Sequence, residues 1–237
     1  MVILGIDSSA TAASAAVVKD GKILSEMFLN VGLTHSVTLL SAIKNVVEAS
    51  GLTVKDIDAV AVTNGPGSFT GVRIGVATAK GIAEPDSKKC VPVSTLEAIA
   101  YPLADSDCIA VSVMDARCNQ VYCALFNCEN SEITRITQDD AISLDALCDI
   151  LSNYTDKKII LIGDGADISY KYLSGKVQNL FIASSRIKYQ SASSVALIAE
   201  KKLENNDSVT TPSELVPSYL RLSQAERELK KKKENEK

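Results

Sequence analysis

Between Asn64 and Ala83 the chain reads NGPGSFTGVRIGVATAKGIA. Glycines at 65, 67 and 71 stand between an apolar run and a helical pattern. There they could bring main-chain amides against a phosphate. The spacing fails two stricter tests. A phosphate loop of the Gly-x-x-x-x-Gly-Lys-Ser/Thr kind needs a lysine where Val72 stands. A dinucleotide fingerprint, Gly-x-Gly-x-x-Gly, needs a glycine where Thr70 stands. What remains is weaker: Gly65 and Gly67 permit unusual backbone angles, Ser68 or Thr70 can cap the helix, and free amides at its start can hold an anion. The plain alternative is a tight strand-to-helix turn. Asp7 and Asp115 both end apolar strands, where ligands gather in α/β sheets, and could coordinate magnesium. Asp7, Ser9, Gly65, Gly67 and Asp115 are therefore the candidates for a vestigial nucleotide contact. Neither aspartate has the neighbouring carboxylate that paired acid–base chemistry uses.

Other chemistries are excluded by what is missing. His35 is the single histidine, so no His-His metal pair and no His-Glu-x-x-His protease helix can form. A Ser-His-Asp triad would have to use His35, whose place at a predicted helix start suits a capping or surface role. Six cysteines, at 90, 108, 118, 123, 128 and 148, contain no Cys-x-x-Cys pair, which points to buried free thiols in a reducing compartment. No metal and no cofactor is expected. The net charge of −4 gives no footprint for autonomous nucleic-acid binding. Lys230 to Lys233, interleaved with glutamates, read as a solvated helix tail. No apolar run nears the ~20 residues of a membrane span, and Met1 leads straight into a strand, so a cytoplasmic protein is expected.

The elements that must position these residues follow from periodicity. MVILGID is a buried strand; ASAAVV and KILSEMFL form a hairpin around Asp20-Gly21. Leu39, Leu40, Ile43, Val46 and Val47 fall at helical spacing, and Gly51 stops that helix. AVAVT (59–63) precedes the glycine loop, a helix follows, and then the strand KKCVPV. Ser94-Thr95-Leu96-Glu97 resembles a capping box opening a further helix. From residue 108 the order repeats: strand, hairpin, helix, strand, helix. That order predicts two mixed sheets with helices on their faces. The boundary falls in YPLADSD (101–107), giving subdomains at 1–103 and 104–216, with a helix over 217–233 packing back on the first.

The helix after the loop carries Gly71, Gly75 and Ala79 at intervals of four, a nearly bare face. Helix-interior glycine costs roughly 0.5–1 kcal/mol against alanine, so a packing reason is expected. It is either an internal contact or another subunit, with Arg73 and Lys80 as polar rim.

Four segments together, GIDSS, GPGSFTGVRIGVATAKGIA, DARCNQVY and PSYLR, resemble the bacterial TsaB family, also called YeaZ. The resemblance implies an actin-like, ribonuclease-H-like fold of two α/β subdomains, in the superfamily of sugar kinases and Hsp70 ATPases. It implies work on tRNA: installing threonylcarbamoyl on adenosine 37 of tRNAs reading codons that begin with A. In that system a TsaD subunit is the transferase and TsaE a small ATPase; the TsaB subunit is a non-catalytic partner that meets tRNA through the complex. The sister transferases carry Val-Asn-His-Met-Glu-Gly-His, whose histidines bind metal. Here the run is Val93-Ser94-Thr95-Leu96-Glu97-Ala98-Ile99, and neither Thr95 nor Ile99 can replace an imidazole. The resemblance further implies a partner or homodimer interface on the helices at 35–50 and 69–83, through Leu39, Ile43, Gly71, Val72, Arg73, Gly75, Val76, Ala79 and Lys80. A bulky residue at Gly75 is then expected to block docking without unfolding. The alternative is an active ATP-dependent kinase or ATPase of the same fold.

Overall fold

The computed structural model describes residues 1–117 and 119–221. Strand β1 (Val2–Asp7) is buried along its whole length, as an unbroken apolar run requires when both faces of a sheet are covered. Strands β2 (Ala13–Lys19) and β3 (Lys22–Leu29) form the hairpin, and Asp20 and Gly21 both take the positive φ that a two-residue turn demands. Strands β4 (Ala59–Gly65) and β5 (Lys89–Ser94) complete a sheet of order β3-β2-β1-β4-β5. β1, β4 and β5 run parallel, β2 is antiparallel to β1, and β3 is antiparallel to β2. Helices α1 (His35–Ala49) and α2 (Phe69–Ala83) cover one face, where Leu39, Ile43, Val72 and Val76 meet Leu4, Ile6, Val60 and Val62.

The second half repeats the plan. Strands β6 (Cys108–Asp115), β7 (Gln120–Glu129), β8 (Glu132–Arg135), β10 (Ile159–Ile162) and β11 (Leu180–Ile182) form a sheet of order β11-β10-β6-β7-β8, and β9 (Asp140–Ser143) pairs with β7. Again an antiparallel hairpin lies on one side of the central strand and parallel strands on the other. Helices α4 (Leu144–Leu151) and α5 (Ala166–Leu173) cover one face. Elements of three or four residues, such as β9 and β11, are too short to show a period. Five free cysteines, at 90, 108, 123, 128 and 148, are described; burial pushes the Cys90 thiol up to about 11, away from reactive thiolate.

The closing helix of each half packs across to the other half. Helix α3 (Thr95–Ala100) places Leu96, Ile99 and Ala100 on the second sheet, against Ala110, Met114 and Phe126. Helix α6 (Ala192–Glu204) places Val195, Ala196 and Ala199 on the first, against Ile3, Ala61 and Val91. Gly5 permits this: a side chain there would stand 2.2 Å from the Ala192 carbonyl oxygen. The chain thus returns to the first sheet at Ala192, earlier than the expected 217. Pro217 to Arg221 are not helical, and the remainder of the expected 217–233 helix, including the lysine cluster, lies outside the described residues. Ser94 caps α3 as expected, accepting from the Glu97 amide at 3.2 Å. The Glu97 carboxylate does not close the box; it faces Lys202 on α6 at 3.5 Å and Arg135 on β8 at 3.8 Å, a brace over the helix exchange.

Candidate functional site at the glycine loop

The loop is filled by its own chain. Asp7 ends β1 fully buried, and its Oδ1 accepts from both the amide and the hydroxyl of Ser9, each at 2.9 Å. Burial pushes the Asp7 carboxyl up, against the pull of those two hydrogen bonds. The turn so braced aims the Ser9 carbonyl at the loop, where it accepts from the Ser68 amide at 2.6 Å. A side chain at Gly67 would meet that carbonyl at 2.3 Å, and one at Gly65 would meet the Ser218 carbonyl oxygen at 2.1 Å. Ser68 caps α2, accepting from the Gly71 amide at 3.2 Å. Two of the amides that could have met a phosphate, those of Ser68 and Gly71, are therefore engaged.

The bare face of α2 receives the same turn. The Ser8 hydroxyl donates to the Gly71 carbonyl at 2.9 Å. Side chains at Gly71 and Gly75 would strike Ser8 at 2.1 and 2.5 Å. Of the nine residues expected at the interface, seven are buried within this chain. Leu39, Ile43, Val72, Val76 and Ala79 are core, Gly71 and Gly75 are buried under Ser8, and bulk at Gly75 would disturb the fold. Arg73 lies over the Phe69 ring at 3.8 Å and donates from Nε to Tyr219 Oη at 2.7 Å. Lys80 donates to the carbonyls of Ser213 and Leu215, both at 3.2 Å. His35 is neither a cap nor a free surface residue: its ring Nε2 donates to the Ala10 carbonyl at 2.6 Å, tying α1 to the serine turn. At its start α1 leaves Val37 and Leu40 67% and 62% exposed, with Leu33 and Val31 just before it at 59% and 64%; farther along, its outward residues Ser41, Lys44, Asn45 and Glu48 are polar.

The second half offers a carboxylate pair that sequence spacing hid. Asp115 ends β6 exposed, with Oδ1 accepting from the Arg117 amide at 2.7 Å. Asp164, in the Gly163-Asp164-Gly165 turn after β10, lies against it. A side chain at Gly165 would meet the Asp115 nitrogen at 3.0 Å, and the buried Asp164 Oδ1 has no hydrogen-bond partner among the described residues. The signal was present in KIILIGDG: an apolar strand ending in an acidic residue between glycines. Burial, joined by the Asp115 charge, pushes the Asp164 carboxyl up to about 6. Among the described residues no three acidic, histidine or cysteine side chains gather as metal ligands.

The raised Asp164 has a measurable consequence. Unfolded, it titrates near 4. Its contribution to stability is present below that pH and is lost as the pH rises through about 6, where the fold must carry a buried carboxylate. Asp164→Asn is therefore expected to be more stable than the parent by about 1–2 kcal/mol at pH 8. The difference should shrink towards pH 4, as read by urea unfolding at both values.

Thr95 and Ile99 are fully buried at the crossing helix, in no open site. With this geometry in place, similarity to known proteins gains meaning. The family model for TsaD, tRNA N6-adenosine threonylcarbamoyltransferase, matches residues 30–229. A Bacillus subtilis protein named tRNA threonylcarbamoyladenosine biosynthesis protein TsaB is 27% identical over 95% of this chain and 96% of its own. The protein of that name from Buchnera aphidicola is 31% identical over 69% of this chain and 79% of its own. A tRNA N6-adenosine threonylcarbamoyltransferase of Fusobacterium nucleatum is 30% identical, but over only 47% of its length. The chain belongs to the TsaB family. YeaZ from Pseudomonas aeruginosa has the same fold, with a TM-score of 0.76 at 19% identity over 92% of this chain and 99% of that one. The ROK hexokinase of Thermus thermophilus superposes with a TM-score of 0.51 at 14% identity, over 86% and 100% of the two chains. The expected two-subdomain, actin-like architecture is thus present. Among the described residues no helix is long and apolar enough to cross a membrane.

Proposed function

We propose that this chain serves threonylcarbamoyladenosine synthesis on tRNA as a non-catalytic subunit, docking a TsaD-like transferase through the outer face of α1 and α2. The observation that supports the non-catalytic role is the glycine loop packed against Ser9 and Ser218, with its Ser68 and Gly71 amides already bonded. Thr95 and Ile99, buried where the sister enzymes' histidines stand, support the same reading. The outward apolar stripe of Leu33, Val37 and Leu40 supports docking, because a folded chain gains nothing from exposing it unless another surface covers it. A TsaE-like ATPase joins through the transferase complex. The net charge of −4 suits a subunit that meets tRNA through its partner, in the cytoplasm. The same face would hold a homodimer when the transferase is absent.

The test is molar mass by light scattering after gel filtration, for this chain alone and mixed with the transferase. A heterodimer peak, into which any self-dimer dissolves, is expected. Two unmixed peaks with TsaE and ATP present would overturn the docking role. Calorimetric binding of ATP by the isolated chain would overturn the closed loop and favour the kinase reading.

A further inference from the structure

After α6 the chain crosses the first subdomain as an irregular segment, 211–221, which opens with a hydrogen-bonded turn over 211–215 and is firmly anchored. Leu215 is buried in the core of the first sheet, and Lys80 holds the Ser213 and Leu215 carbonyls. The Ser218 amide donates to the Asn64 carbonyl at 2.6 Å, and the Asn64 side-chain amide donates to the Val216 carbonyl at 3.3 Å. The segment therefore lies on the carboxyl end of β4. Tyr219 then stacks on Phe69, with ring centroids 4.7 Å apart, and takes the hydrogen bond from Arg73. Two residues later the path leaves the first subdomain altogether. Arg221 donates from Nη1 to the Ala116 carbonyl at 3.1 Å, on the turn that follows β6. One short segment thus joins the carboxyl ends of β4 and β6, which belong to different sheets. That edge is where ligands and partners gather in open α/β sheets.

We propose that 211–221 is a strap that latches the two subdomains at the carboxyl edge of their sheets, with Tyr219 its anchor and Arg221 its latch. The helix exchange at α3 and α6 fixes the subdomains where they join; the strap holds them at the end where Asp7 and Asp115 lie. A charged donor on a carbonyl is among the stronger single hydrogen bonds, and here it links the two halves alongside the Ser94 hydroxyl, which donates to Asp139 Oδ2 at 2.6 Å. The turn it grips is one of left-handed residues, Arg117 at φ 64° and Asn119 at φ 57°, a shape that tertiary contacts must sustain.

Hydrogen–deuterium exchange on the full chain tests the latch. In Arg221→Ala, exchange is expected to rise about tenfold both in the glycine-loop peptide (64–71) and in the Asp115 to Gln120 turn, with α1 and β7 unchanged. Arg221→Lys, which keeps a donor, should restore most of the protection. Tyr219→Phe, which keeps the stack and loses the Arg73 bond, should raise exchange in the glycine-loop peptide alone. If Arg221→Ala leaves the glycine-loop peptide within twofold of the parent, the strap does not couple the subdomains and the proposal fails. A uniform rise along the chain would equally overturn it, since that signals lost global stability and no latch.

Discussion

Gly71→Ala should destabilise the protein by about 2–4 kcal/mol, while Gly81→Ala, in the same helix, should stabilise it by about 0.5–1 kcal/mol. The substitution is chemically identical and the two sites lie ten residues apart. A methyl group at Gly81 meets nothing within 4 Å, so only the helical preference of alanine is felt. At Gly71 it would stand 2.1 Å from the Ser8 carbonyl oxygen, with His35 and Ser68 at 3.3 Å closing the sides. Relief requires the Ser8–Ser9 turn to move. That turn is held by Asp7 and holds the Ser68 amide, so its displacement loosens several hydrogen bonds at about 1 kcal/mol each. Chemical denaturation of both variants decides the matter. A Gly71→Ala protein as stable as its parent would mean that the loop is not closed by Ser8 and Ser9. Gly75→Leu, a docking test on sequence grounds alone, becomes a second folding test, since its side chain starts 2.5 Å from Ser8 Oγ and 3.4 Å from Val62.

Long elements were legible because burial leaves a period: β1, the β2–β3 hairpin, α1 and the capped start of α3 all stand where spacing placed them. The small-residue face of α2 was legible as a close approach, but not as an approach by Ser8 from more than sixty positions away. Sequence shows that a helix face is bare; it does not show which backbone lies on it. The same gap explains Asp164, four strands away from Asp115 in chain order and adjacent to it in space. Sheet order brings them together, and no local spacing encodes sheet order. His35 misled for a related reason: polar neighbours in sequence suggested solvent, whereas its ring nitrogen is spent on the Ala10 carbonyl. Leu39 and Leu40 are both apolar, and only packing reveals which one the core takes.

The exposed side of α1 sets the second large effect. A chain carrying both Val37→Asp and Leu40→Asp should fold as the parent does and lose at least 100-fold in affinity for the transferase. Both side chains are more than three-fifths exposed, so the fold surrenders little apolar burial, and aspartate in a helix costs only a few tenths of a kcal/mol per position. At an interface the arithmetic reverses. Apolar anchors at the centre of a contact are worth about 2 kcal/mol or more each, and a carboxylate in their place must be desolvated without a partner. A loss of 100-fold corresponds to about 2.7 kcal/mol, less than two such anchors supply. Leu39→Asp, one residue away, is the opposing control: it carries a charge into the core under β1 and β4 and should unfold the chain. Titration calorimetry with the transferase, paired with thermal unfolding of each variant, separates the two results. Full affinity in the double variant would move the docking surface off α1. Lost affinity with an unchanged unfolding temperature, together with a monomeric mass where the parent self-associates, would place transferase and self-dimer on one shared face.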